Sequence, residues 1–399
     1  MLIGHLPTGA VTGRRVAVTG IGAVSCAGRG ADHLFEALCE GKEPSSRNVP
    51  AFDDSDLGGP KELRRLDPFA LFALAAATDA WTQSGLPSHV ANGASIIATG
   101  IGGLQTLTTQ LNVLNEKGPD RVSPFMIPMM MPNAAAAAVS LRFGLTGPCE
   151  TIATACAAGT HAIGHAARLI AQGRVTVAVA GGAEAVITPV ALAGFRNMTA
   201  LSSTGHSQPF GRHRDGFVMG EGAGVLVLEE WDHAVARGAT ILAEISGASS
   251  TADSHHITAP RPDGGGAIDA IRRALSDAGV APTDVSHVNA HGTSTPLNDA
   301  AEAAALHAVF GDSVPPVTSN KGYLGHSLAA AGALEAVVTV LSITRGLVPP
   351  TAGTTELDDD LALDLVVGTP RAMTSEHVLS NSFGFGGHNG SLVISSPRR

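Results

Sequence analysis

Positive charge is in short supply. The 399 residues hold 25 Lys and Arg against 35 Asp and Glu, a net charge of −10. A nucleic-acid binder usually carries a basic excess, so that class is disfavoured from the outset. Cysteine is scarce too. Cys26, Cys39, Cys149 and Cys156 form no CxxC pair and follow no regular spacing, which argues against a disulfide framework or a zinc site. No apolar run reaches the ~18 residues of a membrane span. The longest candidate, Phe125 to Leu141, is interrupted by Pro128, Pro132 and Asn133. Met1 to Gly20 lacks the apolar stretch of a secretory leader, so the chain reads as cytoplasmic, with reduced thiols. Charged residues make up only 15% and apolar residues 44%, which excludes disorder. Aromatics are 4% while glycine numbers 48, a balance that suits close packing of helices and strands in a thick α/β core.

The length suggests two or three folding units, or one large duplicated one, at ~150 residues per unit. Strands are expected at Arg15–Gly20, Ala94–Thr99, Val175–Ala180, Val225–Leu228, Ile241–Ile245, Val285–Asn289, Val378–Ser382 and Ser391–Ser395. Helices are expected at Pro68–Trp81, Thr160–Gln172, Ala267–Ala278, Ala300–Val309 and Ser327–Thr344. Alternation of this kind implies α/β layers. Glu43–Pro60, Ser202–Arg214 and Leu357–Leu363 read as surface loops, and no short repeat period is present.

Three motifs are weak. Gly20-Ile21-Gly22 follows a strand as a dinucleotide fingerprint would, but Ser25 stands where the third glycine belongs, so a tight turn with close backbone packing is the plainer reading. His161 and His165 share a helical face, yet no Glu follows His161 and no third ligand is near in sequence. Gly325-His326-Ser327-Leu328-Ala329 lacks the closing glycine of a nucleophile elbow.

Four other segments carry more. Thr151-Ile152-Ala153-Thr154-Ala155-Cys156-Ala157-Ala158-Gly159 sets a thiol at a helix start, where unpaired N–H groups and the helix dipole lower its pKa. Asn289-Ala290-His291-Gly292-Thr293-Ser294-Thr295-Pro296 places a histidine at the end of a buried strand. Asn320-Lys321-Gly322-Tyr323-Leu324-Gly325-His326 adds a lysine and a second histidine ahead of an apolar helix. Asn381-Ser382-Phe383-Gly384-Phe385-Gly386-Gly387-His388-Asn389 is a turn whose glycines free backbone N–H groups to face a ligand. Together they supply a nucleophile, acid/base partners and oxyanion donors.

In this order the four segments resemble the β-ketoacyl-ACP synthases, most closely the synthase II type of dissociated fatty-acid and polyketide systems, and the resemblance runs from about Arg15 to Ser395. It implies a thiolase-like fold, a five-layer αβαβα stack of two pseudo-equivalent halves, 1–240 with the nucleophile and 241–399 with the two histidines. It implies a decarboxylative Claisen condensation without a cofactor: an acyl group moves from a carrier protein to Cys156, malonyl-carrier loses CO₂ beside His291 and His326, and the carbanion attacks the acyl-cysteine. The backbone N–H groups of Cys156 and Phe385 would hold the oxyanion. Lys321 would orient His326, and Phe385 would gate the acyl pocket.

The resemblance also places Ile101 in the acyl pocket, Phe195 near its entry, Met126 with Met129, Met130 and Met131 at its far end and the dimer interface, and Thr258, Thr293 and Thr295 along the pantetheine arm. Lys61, Arg64 and Arg65 match a docking patch for the acidic acyl carrier protein, and the family is usually a homodimer. No metal is required, but in some relatives positions matching Asn289, Glu335, Ser380 and Asn381 surround a cation. Asp299 and Glu302 match part of the family pattern after the His291 motif, and solvated acids at a helix start explain them equally well. Ala157, Ala158, Gly322-Tyr323-Leu324 and His388 depart from the commoner family residues, which leaves room for a specialised pathway. Two rival readings stand beside this one: a non-condensing partner subunit of the chain-length-factor type, which would usually lack the cysteine, and an NAD-dependent oxidoreductase built on Gly20 to Ser25.

Overall fold

A computed structural model describes residues 13–397, so the outermost ends of the two expected halves, and most of Met1 to Gly20, lie outside it. Ten strands carry the architecture: β1 (Val16–Ser25), β2 (Ala94–Ala98), β3 (Cys149–Glu150), β4 (Val177–Glu184), β5 (Gly222–Glu230), β6 (Ala243–Ala252), β7 (His287–Asn289), β8 (Val317–Thr318), β9 (His377–Gly384) and β10 (His388–Ser395). They join edge to edge in the order β3-β2-β4-β5-β1-β6-β10-β9-β7-β8, with the short strand Gly28–Arg29 folded back on β1. The second five strands repeat the first five. β4 lies parallel to β2 and antiparallel to β5, as β9 lies parallel to β7 and antiparallel to β10. The two five-strand halves of the sheet are joined where Ala17 and Val18 of β1 face Glu244 and Ala243 of β6.

The helices follow the same two-fold rule. α1 (Pro68–Ser84) covers the outer face of the first sheet and α3 (Gly265–Ala278) that of the second. Between the sheets lie α2 (Ala158–Ala171) and α5 (Ala331–Arg345), each touching strands of both, while α4 (Pro296–Phe310) packs beside α3. The result is five layers, αβαβα, as expected from the sequence. Small residues make the layering tight. A Cβ at Gly22 would lie 1.9 Å from the Ala76 carbonyl oxygen and one at Gly20 would lie 2.0 Å from that of Ala80, so α1 rests directly on β1.

Those contacts correct two expectations. Strand β1 does not end at Gly20; it runs on through Gly22 to Ser25, so no turn exists there to cradle a pyrophosphate, and the oxidoreductase reading loses its only motif. The expected close backbone packing is present without the tight turn. In addition, Leu328–Arg345 is 18 residues long and apolar enough to cross a membrane, a run missed because it is interspersed with Ser, Thr and Glu. It is buried between the two sheets and is read here as the core helix.

Candidate active site

Both central helices start from the same strained elbow. Ala155 (φ 50°) leads into a 3₁₀ turn over Ala155–Ala157 and then α2; Leu328 (φ 47°) leads into a 3₁₀ turn over Leu328–Ala330 and then α5. Non-glycine residues pay for such backbone angles and keep them where the surroundings enforce them. The first elbow presents Cys156, which is 5% exposed; the equivalent residue of the second is Ala329. Burial pushes the Cys156 thiol up to about 12, against the opposing pull of Lys321 and of the backbone N–H groups of Phe385 and Cys156 itself. The helix-start argument predicted the opposite sign: loss of solvation outweighs the dipole here, and Cys156 rests as a thiol.

His326 Nε2 lies 3.0 Å from Cys156 Sγ. The His291 ring meets the His326 ring nearly edge-on, centroids 5.4 Å apart at 82°. Burial, then the nearby Lys321 charge, hold both imidazoles well below their ordinary pKa, so both are neutral. Lys321 is 1% exposed. Its Nζ donates to the His291 carbonyl (2.6 Å), to His291 Nδ1 (3.3 Å) and to the Glu335 carboxylate. An ammonium can only donate, so Nδ1 of His291 must accept and its proton sits on Nε2. Lys321 therefore orients His291, not His326 as the sequence suggested.

The strand end bearing His291 is pinned from below. Glu302 accepts the N–H groups of His291 and Gly292, each at 2.8 Å, and Asp299 accepts those of Thr293 (3.0 Å) and Phe210 (2.8 Å). Both acids are fully buried on α4, which overturns their reading as solvated helix-start acids. These groups open on a cavity of 360 Å³ lined by Cys156, His291, His326, Phe383, Phe385, Leu328, Met198, Thr258, Thr293 and Thr295, among others.

The chain matches known proteins along nearly its whole length. Residues 46–234 match the family model of the β-ketoacyl synthase N-terminal domain, and residues 242–355 that of the C-terminal domain. The chain belongs to the β-ketoacyl synthase family. It is 44% identical over 406 residues to 3-oxoacyl-[acyl-carrier-protein] synthase 2 of Synechocystis sp., covering 96% of this chain and 98% of that protein. It is 42% identical over 407 residues to the protein of the same name from Vibrio harveyi, again covering 96% and 98%. Among solved structures it resembles a β-ketoacyl synthase from Burkholderia phymatum (TM-score 0.88, 34% identity, 96% of this chain and 100% of that one). It also resembles the ishigamide ketosynthase/chain length factor (TM-score 0.90, 32% identity, 97% and 100%).

Against this family frame, the remaining residues fall into place unevenly. Thr258, Thr293 and Thr295 line the cavity as expected. Phe195 stands one layer back, packed edge-on against Phe217 (5.5 Å), whose ring in turn meets His326 (5.2 Å). Phe217 was not singled out from the sequence; nothing in its local pattern marks it. Ile101 (41% exposed) and Met126, on the short helix Met126–Met130, lie outside the cavity, so the structure does not bring them to the site. Lys61, Arg64 and Arg65 are exposed around the helix Pro60–Leu63, with the Arg65 guanidinium 4.2 Å over the Phe125 ring. His161 donates to the Asn389 carbonyl and accepts from Thr154, which leaves no nitrogen for a metal.

Of the four cation positions, Asn289 Oδ1, Glu335 Oε2 and Ser380 Oγ are buried oxygens without a hydrogen-bond partner among the described residues. Asn289 and Ser380 face each other across the β7–β9 pair, and Asn289 Nδ2 bonds the Glu335 carbonyl. Such an oxygen set fits a hard cation. Asn381 is spoken for, accepting from Ser391 and donating to Glu302.

Proposed function

We propose that the chain is an elongating β-ketoacyl-[acyl-carrier-protein] synthase. The observation that carries this reading is Cys156 Sγ at 3.0 Å from the Nε2 of a neutral histidine, with a second neutral histidine of fixed tautomer on the same cavity. A non-condensing partner subunit has no use for that constellation. Identity of 42–44% to synthase 2 proteins favours fatty-acid over polyketide chemistry. The nucleophile belongs to half 1–240 and the histidines to half 241–399.

In the first half-reaction Cys156 attacks the acyl thioester of a loaded carrier. Its proton passes to His326 Nε2 and from there to the departing carrier thiol, so acyl-carrier and free thiol become acyl-cysteine and free carrier. The N–H groups of Cys156 and Phe385 hold the tetrahedral oxyanion. In the second, malonyl-carrier breaks its C–C bond to release CO₂. The electron pair is held as an enolate, whose oxygen accepts a hydrogen bond from the Nε2–H of His291 and, once the His326 proton has moved from Nδ1 to Nε2, from His326. Its carbon attacks the acyl-cysteine, Sγ leaves, and the β-ketoacyl chain departs on the carrier. Asn289, Glu335 and Ser380 would hold a cation that keeps the Glu335–Lys321 pair in place; no step runs through it.

The reading carries an acyl carrier protein as partner, docked at Lys61, Arg64 and Arg65, a homodimeric assembly, and a cytoplasmic setting that keeps Cys156 reduced. The test is intact mass after incubation with acyl-carrier thioesters of several lengths. Wild type should gain one acyl group and Cys156→Ala none. Folded wild type that gains no adduct with any chain would sink the reading in favour of a partner subunit.

A further inference from the structure

Glu184 ends β4 as Gly384 ends β9; the two strands have equal length and corresponding register. At Gly384 a Cβ would lie 3.0 Å from the Cys156 nitrogen, so only a glycine leaves that N–H clear for a transient oxyanion. At the equivalent place in the other half the chain has put a carboxyl group, whose pKa burial raises to about 7 while four donors favour its charged form. The Glu184 carboxylate, 0% exposed, accepts Thr99 Oγ1 (3.0 Å) and the N–H groups of Gly100 (2.8 Å), Ile101 (3.3 Å) and Ala329 (3.3 Å). Ala329 is the two-fold counterpart of Cys156. No cation pairs with Glu184 among the described residues.

We infer that Glu184 is the resident anion of a second anion hole, related to the one beside Cys156 by the internal two-fold, and that by filling it Glu184 acts as a positioning residue for the cavity wall. The carboxylate ties the Thr99–Ile101 turn of one half to the Ser327–Ala330 elbow of the other. Leu328, held at φ 47° in that elbow, lines the cavity beside Cys156. His326 lies two residues before it. Removing the anion leaves the buried N–H of Ala329 without an acceptor and frees the part-buried N–H groups of Gly100 and Ile101 from the elbow, which relaxes it.

The ligand class this hole takes is a small carboxylate, so formate is the probe. In Glu184→Ala the melting temperature should fall; formate should raise it again, while an equal concentration of chloride should not, and wild type should respond to neither. This arm reads binding without activity, so it stands or falls separately from the condensing reading on which the second arm rests. In that arm, kcat/KM for acyl-carrier should drop ~10-fold in Glu184→Ala, with a flattened preference for acyl length, and formate should recover it. Glu184→Gln keeps the volume but turns an N–H₂ toward N–H donors. It should show the same loss without formate rescue, and it serves if the alanine variant does not fold. Formate that stabilises wild type and variant alike, or neither, overturns the inference. So does a folded Glu184→Gln that matches wild type in rate and length preference.

Discussion

Lys321 and Glu335 show how a buried charge can be useful without being stabilising. Both are 1% exposed, and Lys321 spends its remaining donors on His291. Removing one partner strands the other charge, which costs about 3–5 kcal/mol. Lys321→Met should therefore melt early and also lose condensation, because His291 is no longer held in one tautomer. Lys321→Met/Glu335→Gln should regain most of the stability in urea titrations and none of the rate. Recovery of both together would mean the lysine serves the fold alone. His287 offers a cleaner titration. It is buried against Thr318, and burial lowers its pKa from 6.5 to about 3. A base with a depressed folded pKa contributes stability above its unfolded pKa and loses it as pH falls, here through the window from 6.5 to about 3. The buried acids Glu302 and Glu184, raised to about 7, push the opposite way between 4.5 and 7, so the total is no guide. The difference between wild type and His287→Leu is the guide: unfolding free energies at pH 7.0 and 5.5 should show it shifting against wild type by about 1 kcal/mol. A pH-independent difference would show that His287 takes up its proton without unfolding.

The elements were legible to the degree that burial leaves a mark in sequence. The five layer-forming helices and eight of the ten strands were expected near their observed positions, because apolar runs bounded by glycine and polar residues announce buried strands and helices, whereas the helices Ala31–Glu40, Ala134–Phe143 and Pro189–Asn197 were not expected. The two-residue strands Cys149–Glu150 and Val317–Thr318 are too short for any pattern. The helix Leu104–Lys117 escaped although Leu104, Leu107, Leu111 and Leu114 recur at helical spacing; polar residues fill the gaps, and only Thr106 is fully buried. At the site, the nucleophile and both histidines were legible as motifs. Glu184 was not, although a lone acid closing the apolar run Val177–Ala183 was a signal to follow. Asp299 and Glu302 were misjudged for the reverse reason: at a helix start an acid looks solvated, and only the tertiary fold shows the loop that needs it. Glycines test the layer contacts directly. Gly22→Ala forces a Cβ to 1.9 Å from the Ala76 carbonyl oxygen and should cost about 3 kcal/mol by denaturant titration. Gly194→Ala, on the exposed helix Pro189–Asn197 with nothing within 4 Å, should gain about 0.5–1 kcal/mol. Equal effects would mean that the layers do not press on each other as the structure describes.

At the scale of the whole molecule, two halves of one design have divided their labour. The first elbow keeps a thiol and an open anion hole; the second keeps alanine and a filled one, while the second half supplies His291 and His326 to the first half's sulfur. Because the proposed site draws on both halves, neither half carries it alone, and the carrier we propose would have to deliver its acyl group at their junction. Here net charge becomes a constraint. An acidic carrier approaching a chain of charge −10 is repelled at distances beyond the contact patch, and that repulsion is what salt screens first. The docking we propose at Lys61, Arg64 and Arg65 would be attractive at short range and screened as well. The sign of the salt dependence therefore reports which wins. If the patch governs encounter, KM for acyl-carrier rises with ionic strength in wild type. In Lys61→Glu/Arg64→Glu/Arg65→Glu it starts about tenfold higher and falls with salt, as repulsion alone would dictate, while kcat is unchanged because the cavity is untouched. A KM that falls with salt in wild type, or a triple variant with unaltered KM, would move the docking surface elsewhere on the molecule.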